Sequence, residues 1–141
     1  MFSKACKYAI RSSLYLAAHT SDQHKLGVKE IAEELEIPKH FLGKILQQLS
    51  RQGLISSTKG PSGGFYLSEE NAKVTLSQIV ECIDGLDIFN KCILGLAECS
   101  SPNPCPLHTQ AAAYREGLNF QLKHQTITEL ARKVKAEQLK I

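Results

Sequence analysis

Residues 28–67 constrain the fold of this chain more than any other stretch. Val28, Ile31, Ala32 and Leu35 line one face of a short helical segment that stops near Glu36. Pro38 suits the first turn of a second segment, where its missing N–H belongs to an unpaired group in any case, and Leu42, Ile45, Leu46 and Leu49 form the apolar face there. Gly53 closes that segment at a position where glycine tolerates left-handed geometry. Two short β-prone runs follow, residues 54–58 and 65–67, separated by a basic, turn-rich tip, Lys59-Gly60-Pro61-Ser62-Gly63-Gly64. Helix, helix, then hairpin is the order of a winged helix-turn-helix, a mainly α fold with a small β-hairpin wing.

The flanking segments are helical. Residues 3–19 carry a stripe of Cys6, Ala9, Ile10, Ser13, Leu14 and Ala17. Thr75-x-x-Gln78 has the capping-box pattern, Leu76, Ile79, Val80 and Ile83 follow at helical spacing, and Gly85 ends the helix. From Leu107 the chain turns helical again with a stripe of Leu107, Ala111, Tyr114, Leu118 and Leu122, and Thr126-x-x-Glu129 caps a last helix carrying Ile127, Leu130 and Val134. The long helix has a thin apolar stripe and little chain left to cover it. That points to a second subunit, a homodimer joined through a long dimerisation helix.

Charge and composition bound the function. Residues 1–73 hold ten Lys/Arg and seven Asp/Glu, residues 74–141 seven of each, so the excess positive charge sits in the first half, as in a module that binds a polyanion. No apolar run approaches the ~18 residues of a membrane span, and the first residues lead into an amphipathic helix instead of a signal sequence. A cytoplasmic protein with no membrane partner is expected. In a helix-turn-helix the second helix enters the major groove of double-stranded DNA. Its exposed positions here are Lys39, His40, Gly43, Lys44 and Gln47. Lysine can address guanine or phosphate, and glutamine can pair with adenine. Lys59 at the wing tip has the length to reach a minor groove or a phosphate, beside Gly60 and Ser62 in the same turn. Any one lysine fits a solvated helix face equally well; the combination is what points to DNA. A dimer of such units implies a palindromic operator.

The second half carries a cysteine–histidine cluster, Cys92, Cys99, Cys105 and His108, spaced C-x6-C-x5-C-x2-H. The residues between are too rich in Gly, Ser and Pro for a packed helix, so a loop of about residues 90–106 wraps a ligand. Pro106 looks like a first-turn proline, which would make Cys105 the N-cap and His108 the third helical residue, with both side chains aimed at one site. Five cysteines, an odd number, argue against a closed disulfide framework. Iron–sulfur clusters take Cys thiolates, with imidazole as a known replacement. A zinc site also takes three Cys and one His, but usually includes a short C-x2-4-C pair, absent here; thiol redox without metal is the third possibility. Cys6 and Cys82 read as packing residues. A Cys105–His108 dyad lacks an orienting third group and an oxyanion pocket, so no enzyme is expected. The chain divides into residues 1–73, a winged helix-turn-helix DNA-binding domain whose first helix also contributes to the dimer, and residues 74–141, the sensor loop and dimerisation helices. A zinc-binding interaction module, with the winged helix used for protein contacts, is the rival reading.

Residues 1 to about 135 resemble the Rrf-type winged-helix transcription regulator family, with its IscR- and NsrR-like iron–sulfur regulators. The resemblance is carried by Ser3-Lys4 with Tyr8-Ala9, Ile31-Ala32, Gly53-Leu54-Ile55-Ser56-Ser57 running into the Gly60-Pro61-x-Gly63-Gly64 wing, and the three-cysteine loop. It implies a homodimeric DNA-binding regulator, such as a repressor, in which the helix near residues 107–122 crosses its partner. It also implies a cluster on Cys92, Cys99 and Cys105, the 2Fe–2S form ahead of 4Fe–4S, that senses iron–sulfur status, redox state or nitric oxide. His108 stands at the position of a histidine ligand; some relatives draw the fourth ligand from the partner's first helix, where Cys6 and Tyr8 stand here. The first cysteine interval is one residue longer than in the iron–sulfur regulator, Gly43 replaces an acidic residue, and Lys59 stands where arginine is common.

Overall fold

Local signals at the helix ends set most of the architecture of the computed structural model, which describes residues 1–141. Ser3 opens α1 (Lys4–His19), its hydroxyl accepting the Cys6 N–H at 3.0 Å. α2 (Val28–Leu35) ends at Glu36 in a left-handed conformation (φ 55°), and the Ile37 N–H returns to the Ala32 carbonyl at 2.9 Å. That turn buries Ile37 and aims the chain into α3 (Lys39–Arg51), with Pro38 at the N-cap. Gly53 adopts φ 72° after α3, as its position predicts.

β1 (Ser56–Thr58) pairs antiparallel with β2 (Gly64–Tyr66), with Ser57 opposite Phe65. The ladder is shorter than the two β-prone runs because Leu54, Ile55 and Leu67 turn into the core and anchor the hairpin instead of extending it. A single bridge between Leu26 and Phe65 pairs β2 with a third segment, with N–H to carbonyl distances of 3.0 and 2.7 Å. Asn71, in a 3₁₀ turn at Glu69–Lys73, holds the hairpin base: its Nδ2 donates to the Gly53 carbonyl at 3.0 Å, and its Oδ1 accepts from Ser56 Oγ at 2.8 Å.

α4 (Leu76–Asp84) and α6 (Ile127–Glu137) both begin with capping boxes, Thr75 with Gln78 and Thr126 with Glu129. Their starts are joined, Leu76 N–H to the Gln125 carbonyl and Ile127 N–H to the Val74 carbonyl. This places Ile79 and Ile127 in the main core with Leu16, Ile31, Leu42, Leu46 and Leu49. A smaller cluster of Cys6, Leu76, Val80, Phe89 and Leu122 joins α1 and α4 to a 3₁₀ turn at Leu86–Phe89 and to α5 (His108–His124).

Two expectations shift at α5. The helix starts at His108 with Leu107 as N-cap, two residues later than the Pro106 signal indicates. Cys105 sits one turn earlier, its carbonyl accepting the His108 N–H at 3.0 Å, so cysteine and histidine remain close without the capping relation. The apolar stripe also differs: Ala111 and Leu122 are buried, but Tyr114 is 62% exposed, and Arg115 takes the buried place beside it. Arg115 is admitted because its Nε donates to the Phe89 carbonyl at 2.9 Å.

Candidate metal centre and nucleic-acid interface

The loop between the 3₁₀ turn and α5 is built from short turns. Gly95 N–H returns to the Cys92 carbonyl, Ser100 and Asn103 exchange both backbone hydrogen bonds around Ser101-Pro102, and Cys105 and His108 close the last turn. These turns bring the Sγ atoms of Cys92, Cys99 and Cys105 within 4.8 Å of one another. Cys92 and Cys105 lie 3.7 Å apart, and Cys99 Sγ is 3.1 Å from His108 Nδ1. Cys99 also accepts the Cys105 N–H at 3.4 Å, so it is the hub of the group. The three cysteines named from spacing therefore converge on one place, and His108 stands against one of them, Cys99. The Cys92–Cys105 separation is close to that of two thiolates on one tetrahedral metal with bonds of about 2.3 Å. Three thiolates and an imidazole fit an iron–sulfur cluster or a zinc ion, and the donor set alone does not choose between them.

The thiols differ in acidity. Partial desolvation raises Cys92, but the N–H groups of Leu96 and Leu94, with the thiols of Cys99 and Cys105, outweigh it and bring the group down to about 7. The Cys105 N–H lowers Cys99, yet desolvation and the neighbouring thiols of Cys105 and Cys92 leave it above its usual value. Cys6 is fully buried, and burial together with the Asp84 carboxylate pushes it up to about 12. It is a core residue, unavailable as a ligand for a partner's centre. In the metal-free protein, iodoacetamide should label Cys92 first, at a rate rising as pH passes about 7 because the thiolate is the nucleophile. Cys6 should stay unlabelled in the folded protein, and site-resolved mass spectrometry over a pH series checks both.

In the winged unit, Lys39, His40, Lys44 and Gln47 are all exposed on α3, and Lys59, Gly60 and Ser62 are exposed on the wing. A cleft of about 420 Å³ separates α3 from the wing, lined by Gln47, Arg51, Ser57 and Lys59 among others. Sequence pattern alone does not single out Arg51, although it follows Gln47 by one turn and continues the Lys44–Gln47 face. Ser50 and Ser57 hydroxyls meet across this cleft at 2.9 Å. The result is a polar cleft between a helix and a hairpin that carries two cations, Arg51 and Lys59.

A hydrogen bond links the two regions. Gln48 Nε2 on α3 donates to the Cys82 carbonyl of α4 at 2.9 Å. Asp84, at the end of α4, accepts from the Ser3 backbone N–H at 2.8 Å and from the Ser3 hydroxyl, fixing the start of α1. The 3₁₀ turn and the cysteine loop follow directly.

Comparison with known proteins agrees with this architecture. The family model described as Rrf2, iron-dependent transcriptional regulator, matches residues 2–133. A protein of Aquifex aeolicus with the provisional description of HTH-type transcriptional regulator is 34% identical over 132 residues, covering 92% of this chain and 90% of that protein. The HTH-type transcriptional regulator IscR of Yersinia pseudotuberculosis is 26% identical over 124 residues, covering 88% and 74%. Among solved structures, CymR, the global cysteine regulator of B. subtilis, superposes with a TM-score of 0.74 at 20% identity, covering 94% and 97%. T. potens IscR superposes with a TM-score of 0.74 at 18% identity, covering 100% and 93%. Both share the fold. With a winged helix, a cationic reading face and a match along nearly its whole length, this chain belongs to the Rrf2 family of transcriptional regulators.

Proposed function

We propose that the protein is a cytoplasmic, homodimeric DNA-binding regulator, acting as a repressor, whose operator affinity is set by an iron–sulfur cluster held on Cys92, Cys99, Cys105 and His108. The carrying observation is the convergence of three Sγ atoms within 4.8 Å, with an imidazole against the hub thiol. When bound, such a cluster supplies reversible one-electron chemistry and lability toward oxidants and nitric oxide, with 2Fe–2S favoured over 4Fe–4S. The rest is done by the chain. Cys92, with a thiol near 7, supplies a thiolate ligand at neutral pH. Clefts of about 450 and 420 Å³ on either side of Cys92 give small reagents access.

Labour is divided between residues 1–73 and 74–141. Lys39, His40, Lys44 and Gln47 read the major groove, and Lys59, Gly60 and Ser62 track the backbone at the wing. The outer face of α5 supports the dimer: Tyr114 and Phe120 are 62% and 58% exposed, and a side chain at Gly117 would meet nothing within the protomer. Two wings related by a two-fold axis require a palindromic operator. Ligand-dependent switching requires different DNA affinity in the two cluster states.

The test begins with anaerobic purification and iron, sulfide and zinc analysis. Equimolar iron and sulfide with visible absorption is expected; zinc without sulfide would move the site to a structural Cys3His centre. A duplex selected from a random-sequence pool should then bind the loaded and apo proteins with different affinities, and equal affinities would end the switching claim. Charge reversal at Lys39, Lys44 and Lys59 should abolish operator binding. Single neutral substitutions at these lysines should each reduce the log–log salt slope by about 1 where the side chain neutralises a phosphate.

A further inference from the structure

Arg115 is the one charged residue among the buried side chains of this chain, at 8% exposure. A buried guanidinium ordinarily rests on a carboxylate, because an unpaired charge removed from water is costly. Here no carboxylate accepts from it. Its hydrogen bond within the chain runs from Nε to the Phe89 carbonyl at 2.9 Å, and the two terminal nitrogens, without a partner in the chain, keep an opening to the clefts beside them. Phe89 lies three residues before Cys92 and is itself buried in the smaller core cluster.

Arg115 borders two clefts, one on each side of the cysteine group. One, of about 320 Å³, is also lined by Cys99 and His108, and the other, of about 420 Å³, by Cys92. In the first cleft the Asn119 Oδ1 is buried without a partner. Arg115 follows His108 by two helical turns on the same face, about 10 Å along the axis, and long helical side chains lean back toward the N-terminus. Arg115 therefore shares clefts with Cys92, Cys99 and His108, while its Nε holds the start of their loop through Phe89.

We propose that Arg115 is the positioning residue of the cysteine centre: it is the internal counter-charge of the thiolate-bound group and pins the loop through Phe89. The inference rests on the iron–sulfur reading above and deepens it. Three thiolates give the loaded centre a net negative character that nothing else buried in this region offsets. An electron delivered to that centre by an outside reductant adds one negative charge, so at fixed pH a cation nearby favours the reduced form.

The full-length protein and its Arg115→Gln and Arg115→Lys variants, loaded anaerobically, would be titrated with dithionite and followed by visible absorbance. A unit charge about 10 Å away at an effective dielectric of about 20 changes the reduction equilibrium roughly tenfold, about 59 mV for one electron. The glutamine variant should fall in potential by that amount, and the lysine variant should stay near the wild type. A loaded glutamine variant with the wild-type potential would overturn the proposal, as would a lysine variant that falls equally far. Should the glutamine variant not load, Arg115→Met decides by the same titration, a lowered potential supporting the counter-charge and an unchanged one overturning it. A wild-type protein that takes up no iron and sulfide overturns the iron–sulfur reading itself, a result distinct from an unmoved potential in loaded protein.

Discussion

Cys99→Ala should give a colourless protein that retains no iron or sulfide after anaerobic purification, while keeping its fold. The sulfur of Cys99 is the point through which the other ligands are organised. It lies against His108 Nδ1 at 3.1 Å and accepts the Cys105 N–H at 3.4 Å, so its removal leaves an imidazole and a thiol pair without a common vertex. Loss of supporting groups around a metal already costs ten- to a hundredfold in affinity, so loss of a ligand of this kind should weaken retention by at least ~100-fold. Cys99 belongs to neither core cluster, so the melting temperature of the metal-free protein should be unchanged. Elemental analysis and a thermal melt of apo wild type and apo variant read the two claims separately. Full iron and sulfide content in the variant would show that the centre is assembled from other residues.

Gly64→Ala should damage the DNA-binding unit severely for so small a substitution. Gly64 has φ +149°, and a Cβ there would sit 2.5 Å from the Leu26 carbonyl oxygen and 2.8 Å from its carbon. Both are backbone atoms and cannot swing aside as a side-chain tip would. Relief requires the wing to leave Leu26, breaking the two hydrogen bonds of the Leu26–Phe65 bridge. Backbone strain of about 1–3 kcal/mol and two hydrogen bonds at about 1 kcal/mol each give a loss of about 3–5 kcal/mol. Urea unfolding should register that loss, and operator binding should weaken because the wing no longer stands beside α3. Gly60→Ala is the control. Gly60 also has positive φ (100°), but a Cβ there meets open space, so it should carry backbone strain alone. Equal effects at the two positions would mean that the close approach to Leu26 does not matter.

Much of this architecture is legible in the residues because its signals are local. Capping boxes at Thr75 and Thr126, the glycine after α3 and the turn chemistry of residues 59–64 each decide a boundary within a few residues, and the structure places those boundaries accordingly. Cysteine spacing likewise implies a loop, and the loop brings the three thiols together with His108 against Cys99. What the sequence hides depends on partners far along the chain. Arg115 looks like a surface residue until the Phe89 carbonyl, 26 positions earlier, is found against it, and Tyr114 is exposed in consequence. Asn71 reads as an ordinary loop residue, yet it fastens Gly53 and Ser56. Arg51 is obscured differently, because a basic last turn also suits the helix dipole, and only the facing wing gives it a second use.

The Arg115–Phe89 bond has a consequence for how such a protein can diversify. It clips the point where the cysteine loop leaves the body to the helix where it returns, so the loop is a handle with both roots fixed. In a handle of this size, one residue more or less changes the closure entropy by less than ~0.1 kcal/mol. The interval of six residues between Cys92 and Cys99 can therefore change by one without disturbing α3 and the wing. The loop is an interchangeable fitting on a rigid mount, free to change in length one residue at a time while α3 and the wing keep their places.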